Sequence, residues 1–141
     1  MLKIWVPLLL VILLAPAFAG AGTLYPEKVY QEAWCGYMGG TTEVRFDDDT
    51  RVDCLLRHYA VEVEFANKNL YAPGQAGHYA RMSGLKAGIM LILEKKSDVK
   101  YWKSLKADLK AKRVYMRMWC IAPFPLVIEK TKCFRLYKKR R

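Results

Sequence analysis

"RVDCLLRHYAVEVEFANK", residues 51–68, is the stretch on which the fold turns. Side chains alternate along a strand, so Glu62 and Glu64 share one face of "YAVEVEF" while Val61, Val63 and Phe65 take the other. On the strand before it, Arg51 and Asp53 share a face opposite to Val52 and Cys54. The residues around Arg57 and His58 are enough for a tight connection. With Leu55 opposite Ala60, Asp53 falls directly across from Glu62, about 5 Å away on the same face. Two carboxylates that close repel, and they need a cation, a proton or a basic side chain between them. Spacing leaves two readings open. One is an oxygen-seeking divalent ion held by the pair; the other is a solvated pair on an open sheet face, with Arg51 or Arg45 as partners.

Working outward, "YPEKVYQEAWCGYMGG" predicts a helix, with Pro26 early in it, Val29, Ala33 and Trp34 at helical spacing, and Gly36 with Gly39 and Gly40 ending it. "TEVRF" and "TRVDCLL" read as strands joined by a turn at Asp47, Asp48 and Asp49, so that with "YAVEVEF" they form a meander. "PGQAGHYARMSG" predicts a helix between Pro73 and Gly84. "AGIMLILE" is apolar enough for a strand covered on both faces. "SDVKYWKSLKADLKAKR" predicts a helix capped by Ser97, with Val99, Trp102, Leu105 and Leu109 on one face. "VYMRMWCI" alternates like a strand, and "LVIE" at 126–129 offers a further short one. The expected class is α/β, an α+β mixed sheet: helix, three-strand meander, helix, strand, then helix and strand.

The chain has 141 residues, room for one domain with a modest core. Residues 1–19, "MLKIWVPLLLVILLAPAFA", have one positive charge, a short apolar run and small residues at Ala17 and Ala19, the layout of a secretory signal peptide. The alternative is an uncleaved N-terminal anchor. Cleavage would leave a single domain over 20–141 with a basic C-terminal tail, a periplasmic or secreted location and no stable membrane insertion. In an oxidising compartment Cys35, Cys54, Cys120 and Cys133 are expected to form disulfides. Four cysteines permit three pairings, of which Cys35 with Cys54 and Cys120 with Cys133 keeps each pair within one half of the chain. Charge divides the same way. Residues 20–94 hold seven Lys/Arg against ten Asp/Glu, a net of −3, and residues 95–141 hold sixteen against three, a net of +13. A basic half of this kind suits nucleic-acid phosphates or an anionic membrane surface.

The order of elements, with Asp53 on the second strand and an acid-bearing third strand, resembles the PD-(D/E)XK, or restriction-endonuclease-like, nuclease superfamily. "TEVRFDDDTRVDCLLRHYAVEVEFANK" with "GQAGHYARMSGLKAGIMLILE" is similar to small exported bacterial proteins of that fold, over roughly residues 25–95. The resemblance implies metal-dependent hydrolysis of phosphodiester bonds in nucleic acid outside the cytoplasm. Asp53 and Glu62 would hold Mg2+ or Mn2+, with Glu43 and Glu64 as further ligands. The superfamily expects Lys two positions after the acid, where this chain has Glu64; Lys68 would supply the missing cation, although Pro73 and Gly74 would interrupt a helix begun there. Gln75 and Tyr79, four apart on one helical face, would meet substrate. The alternative is a non-catalytic exported domain of the same fold that binds nucleic acid or another anionic surface. His58 and His78 find no nucleophile to serve. Trp102, Tyr115 and Trp119 are expected in or near the core; base stacking would require Tyr115, Arg117 and the tail to line one groove.

Overall fold

The computed structural model describes residues 22–126, 128 and 131–137; the expected signal peptide at 1–19, most of the "YKKRR" tail and half of "LVIE" lie outside them. In chain order the elements are α1 (Glu27–Tyr37), β1 (Thr41–Arg45), β2 (Arg51–Leu55), β3 (Tyr59–Phe65), α2 (Ala72–Ser83), β4 (Lys86–Ile92), α3 (Val99–Ala111), β5 (Arg117–Pro123) and β6 (Phe134–Leu136). Short 3-10 turns at Ala66–Tyr71 and Lys96–Asp98 lead into α2 and α3. The strands form one mixed sheet in sequence order, β1 to β6. β1, β2 and β3 are the expected antiparallel meander; β3 to β6 run parallel.

β4 is apolar along its length because both of its faces are covered. Met90 and Ile92 join Val61, Val63, Phe65 and Ile121 under Tyr30 and Trp34 of α1. Ile89, Leu91 and Leu93 face Ala72 and Ala76 of α2 and Leu105 and Leu109 of α3. The two crossovers, through α2 and α3, cover one face, as connections of one hand along strands in sequence order require, and α1 covers the other. The disulfides are Cys35–Cys54, tying α1 to β2, and Cys120–Cys133, tying β5 to the segment before β6. Gly40 turns the chain from α1 into β1 directly over the first bridge. A Cβ there would lie 2.6 Å from Leu56 and 2.8 and 2.9 Å from the two sulfurs, so only glycine fits. No helix among the described residues is long and apolar enough to cross a membrane.

Several local expectations are corrected. α1 runs through Gly36 to Tyr37, and its buried face is Tyr30, Gln31, Trp34 and Cys35; Val29 is 40 % exposed. Ser97 is not a cap: it lies inside the 3-10 turn, and the Asp98 carboxylate accepts from the Glu94 and Lys95 N–H groups at 2.9 and 3.0 Å. β5 starts at Arg117, leaving Val114 and Tyr115 in the loop before it. Val52 and Cys54 do not share a face. Cys54 packs under α1, whereas Val52 packs with Ala60 and Tyr79 on the α2 side. The cause lies in the neighbouring strand, where Glu43 has φ +57°, a left-handed conformation that breaks the alternation of β1 and of β2 paired to it.

Candidate functional site at the parting of two strands

β2 and β3 pair through Leu55↔Ala60 and Cys54↔Val61, the register that sets Asp53 across from Glu62. There the ladder ends. The Val63 N–H, instead of continuing it, donates to Asp53 Oδ2 at 2.8 Å. On the other side of β2, the pairs Thr42↔Cys54 and Val44↔Val52 flank an unpaired rung at Glu43 and Asp53. The Asp53 carbonyl accepts instead from Gln31 Nε2 at 2.7 Å, and the same amide donates to Glu43 Oε1 at 2.8 Å. Gln31 is only 3 % exposed, so these bonds satisfy a buried amide while holding the strands apart. The gap is lined from both faces of the sheet, by α1 on one side and by Tyr79 of α2 on the other.

Glu62 is the most constrained group in this gap. It is 4 % exposed, and its Oε2 has no hydrogen-bond partner among the described residues. Burial, then the adjoining Asp53 carboxyl, pushes its pKa up to about 9. Burial also raises Asp53, opposed by the Val63 N–H that favours its charged form. The two carboxyls adjoin, and each shifts the other's titration, so that a proton shared between them is favoured over two bare charges. The Tyr79 hydroxyl sits against Glu62; burial, followed by the charges of Glu62 and Asp53, raises its pKa well above the usual phenol range. α2 is held in place by His78, whose Nε2 lies 2.7 Å from Asp48 Oδ2 and 3.2 Å from Thr50 Oγ1 in the β1–β2 turn. His78 is thereby a strut between elements.

Two residues of the cluster escaped the sequence reading. Gln31 is one, and Glu27 at the start of α1 is the other. Glu27 lies beside Glu64, and its pKa is raised to about 7, first by burial and then by the charges of Glu64 and Asp53, with Lys68 pulling the other way. Lys68 occupies a non-helical kink in the 3-10 turn, its Nζ 5.6 Å from the centre of the Phe65 ring. Its position beside Glu27 puts it at the Glu64 end of the cluster. The only signal for Glu27 was an acid in a helix's first turn, ordinarily read as a response to the helix dipole.

The expected four-carboxylate ligand set is not one cage. Glu43 is engaged by Gln31 and by Arg51, at 3.1 Å. Glu64 Oε1 accepts from the Phe65 N–H at 2.8 Å and faces Glu27. Among the described residues no three His, Cys, Asp or Glu side chains converge in a metal-holding group. Gln75 is exposed on α2, apart from the buried Tyr79. Comparison of the chain with protein-family models, with curated proteins and with solved structures found no match in any of the three.

Proposed function

We propose that the gap between β2 and β3 is the active site of a metal-dependent phosphodiesterase acting on nucleic acid, in a domain with a restriction-endonuclease-like core. The observation that carries this reading is the Asp53–Glu62 pair: two adjoining carboxyls at a broken ladder, with an enclosed Glu62 oxygen left without a partner among the described residues. Such a pair suits Mg2+ or Mn2+, which take one or two carboxylates and keep their other positions for water and phosphate. When bound, the ion would supply an activated water and neutralise charge on the phosphate. The chain's own residues do the rest. Asp53 is oriented by the Val63 N–H, and Tyr79 walls the site from solvent. Glu27, at about 7, is matched to proton transfer near neutral pH, and Lys68 beside it offers a positive charge to a phosphate oxygen. The two disulfides fit export to an oxidising compartment.

The test is cleavage of single-stranded and duplex DNA and RNA by the purified protein with Mg2+ or Mn2+, beside Asp53→Ala and Glu62→Ala. The expected result is metal-dependent cleavage by the native protein alone. Cleavage no greater than that of the variants sinks the enzyme reading and leaves the second one, a non-catalytic binding domain of the same fold. That second reading is favoured by the Glu64–Glu27 pair, which puts negative charge two positions after Glu62, where a phosphate would meet it.

A further inference from the structure

The basic half of the chain builds a cavity of about 950 Å3 between the last turns of α3, the 112–116 loop and the first residues of β3, β4 and β5. That volume lies at the upper end of the ~300–1,000 Å3 typical of ligand pockets. Five cations line it, Lys86, Lys106, Lys110, Arg113 and Arg117, and no carboxylate does. Like charges gathered around a concavity repel unless an anion enters, and low-dielectric walls focus their field into it. Arg81 of α2 extends the basic rim: a Cβ added at Gly77 would meet Arg81 Nη1 at 3.7 Å and Met116 Cε at 3.8 Å, so the arginine reaches the same place as the groove methionine.

Aromatic rings alternate with these cations. Tyr115 is 95 % exposed in the loop that interrupts the expected strand, and Trp102 is half-buried on the facing wall of α3. Arg117 enters from β5, its guanidinium 5.7 Å over the Trp119 ring, against which Tyr59 of the groove packs edge-on at 5.3 Å. Cations gathered beside an exposed aromatic face match a ligand that carries both phosphates and flat bases. A bilayer has no strand to lay into a concavity, and a duplex keeps its base faces covered.

We infer that this groove binds an unpaired nucleic-acid strand, with Tyr115 and Trp102 stacking on bases and the five cations contacting phosphates. Tyr59 begins the same strand that carries Glu62, about 10 Å further along at the rise of an extended chain. Groove and carboxylate gap are therefore separate features, and binding in the groove stands without hydrolysis in the gap.

The experiment is fluorescence anisotropy of labelled oligothymidylate with the purified protein in EDTA, so that no cleavage intervenes. An equal-length duplex, inorganic polyphosphate and phosphatidylglycerol vesicles serve as competitors, and circular dichroism checks that each variant is folded. Tyr115→Ala, fully exposed in the folded chain, is expected to weaken binding by about 5- to 150-fold. Lys106→Gln with Lys110→Gln is expected to weaken it and to flatten the salt dependence by about 0.7 in slope for each cation removed. Lys100→Gln, on the first turn of α3 and outside the groove, is expected to change nothing. Unaltered binding by Tyr115→Ala overturns the inference, as does competition by polyphosphate or vesicles equal to that of the oligonucleotide. Binding of this kind without any cleavage under Mn2+ sinks only the hydrolytic reading; cleavage without groove dependence sinks only this one.

Discussion

The two halves of the sheet are built on opposite terms. From β3 to β5 the pairing is regular: β3 and β4 match without a break from Tyr59↔Lys86 to Phe65↔Ile92, and β4 and β5 from Gly88↔Arg117 to Ile92↔Ile121. From β1 to β3 it is interrupted. The rung between Glu43 and Asp53 is missing, the ladder between β2 and β3 ends before Glu62, and Glu43 holds a backbone conformation that costs about 1–2 kcal/mol outside glycine. β3 belongs to both halves, paired along its length to β4 on one edge while its Val63 N–H meets Asp53 across the gap on the other. A parallel scaffold packed on both faces can hold one strand still while its neighbour gives up main-chain bonds to side chains. Glu62 is thus positioned from the regular half, on β3 itself, and Asp53 is set against it by the interrupted half.

If the parallel half is the frame, truncation there should have the largest effect. Leu91→Ala, at a fully buried position between β3, β5 and α2, is expected to lower stability by about 2–5 kcal/mol in urea unfolding. A loss under about 1 kcal/mol would mean the frame is elsewhere. The gap should behave in the opposite sense. Glu62 titrates near 4.5 when unfolded and near 9 when folded, so between those values the folded protein holds a proton the unfolded chain has lost. Stability therefore falls as pH rises from about 4.5 towards about 9, by on the order of 3 kcal/mol at pH 7. Glu62→Gln, neutral throughout, is expected to remove most of that fall in EDTA, matching the native protein at pH 4 and exceeding it at pH 8. Parallel stability curves for the two proteins would refute the buried protonated carboxyl. The smallest change belongs to Glu43→Gly. It relieves the positive φ but loses the Gln31 hydrogen bond and the Arg51 ion pair, effects of about 1 kcal/mol each way that leave stability within about 0.5 kcal/mol of native.

The sequence carried the sheet well where alternation and turn chemistry act locally. "YAVEVEF" became β3 with its valines under α1, the hairpin register around Arg57 and His58 put Asp53 opposite Glu62, and Gly84, at φ +69°, ended α2 as a left-handed cap. The broken rungs could not be read there, because Glu43 is not a residue whose type announces a positive φ. The buried face of α1 was missed for a related reason: it includes Gln31, a polar side chain buried only because Asp53 and Glu43 take its donors, and hydropathy periodicity is blind to such a partner. Glu27 acquires its role from β3, well away in the chain. Tyr115 kept the alternation of a strand while sitting in a loop, since its apolar neighbours Val114 and Met116 line the basic groove in place of a sheet face. What was legible depended on residues near one another in sequence, and what was hidden depended on contacts across the fold.

The account turns on whether the Asp53–Glu62 gap is a cation site. Isothermal titration of Mn2+ into the purified protein at neutral pH tests that most directly, with Asp53→Asn and Glu62→Gln titrated alongside. The account predicts saturable binding by the native protein that is lost in both variants. Absence of binding at millimolar Mn2+, or binding that both variants retain, would contradict it.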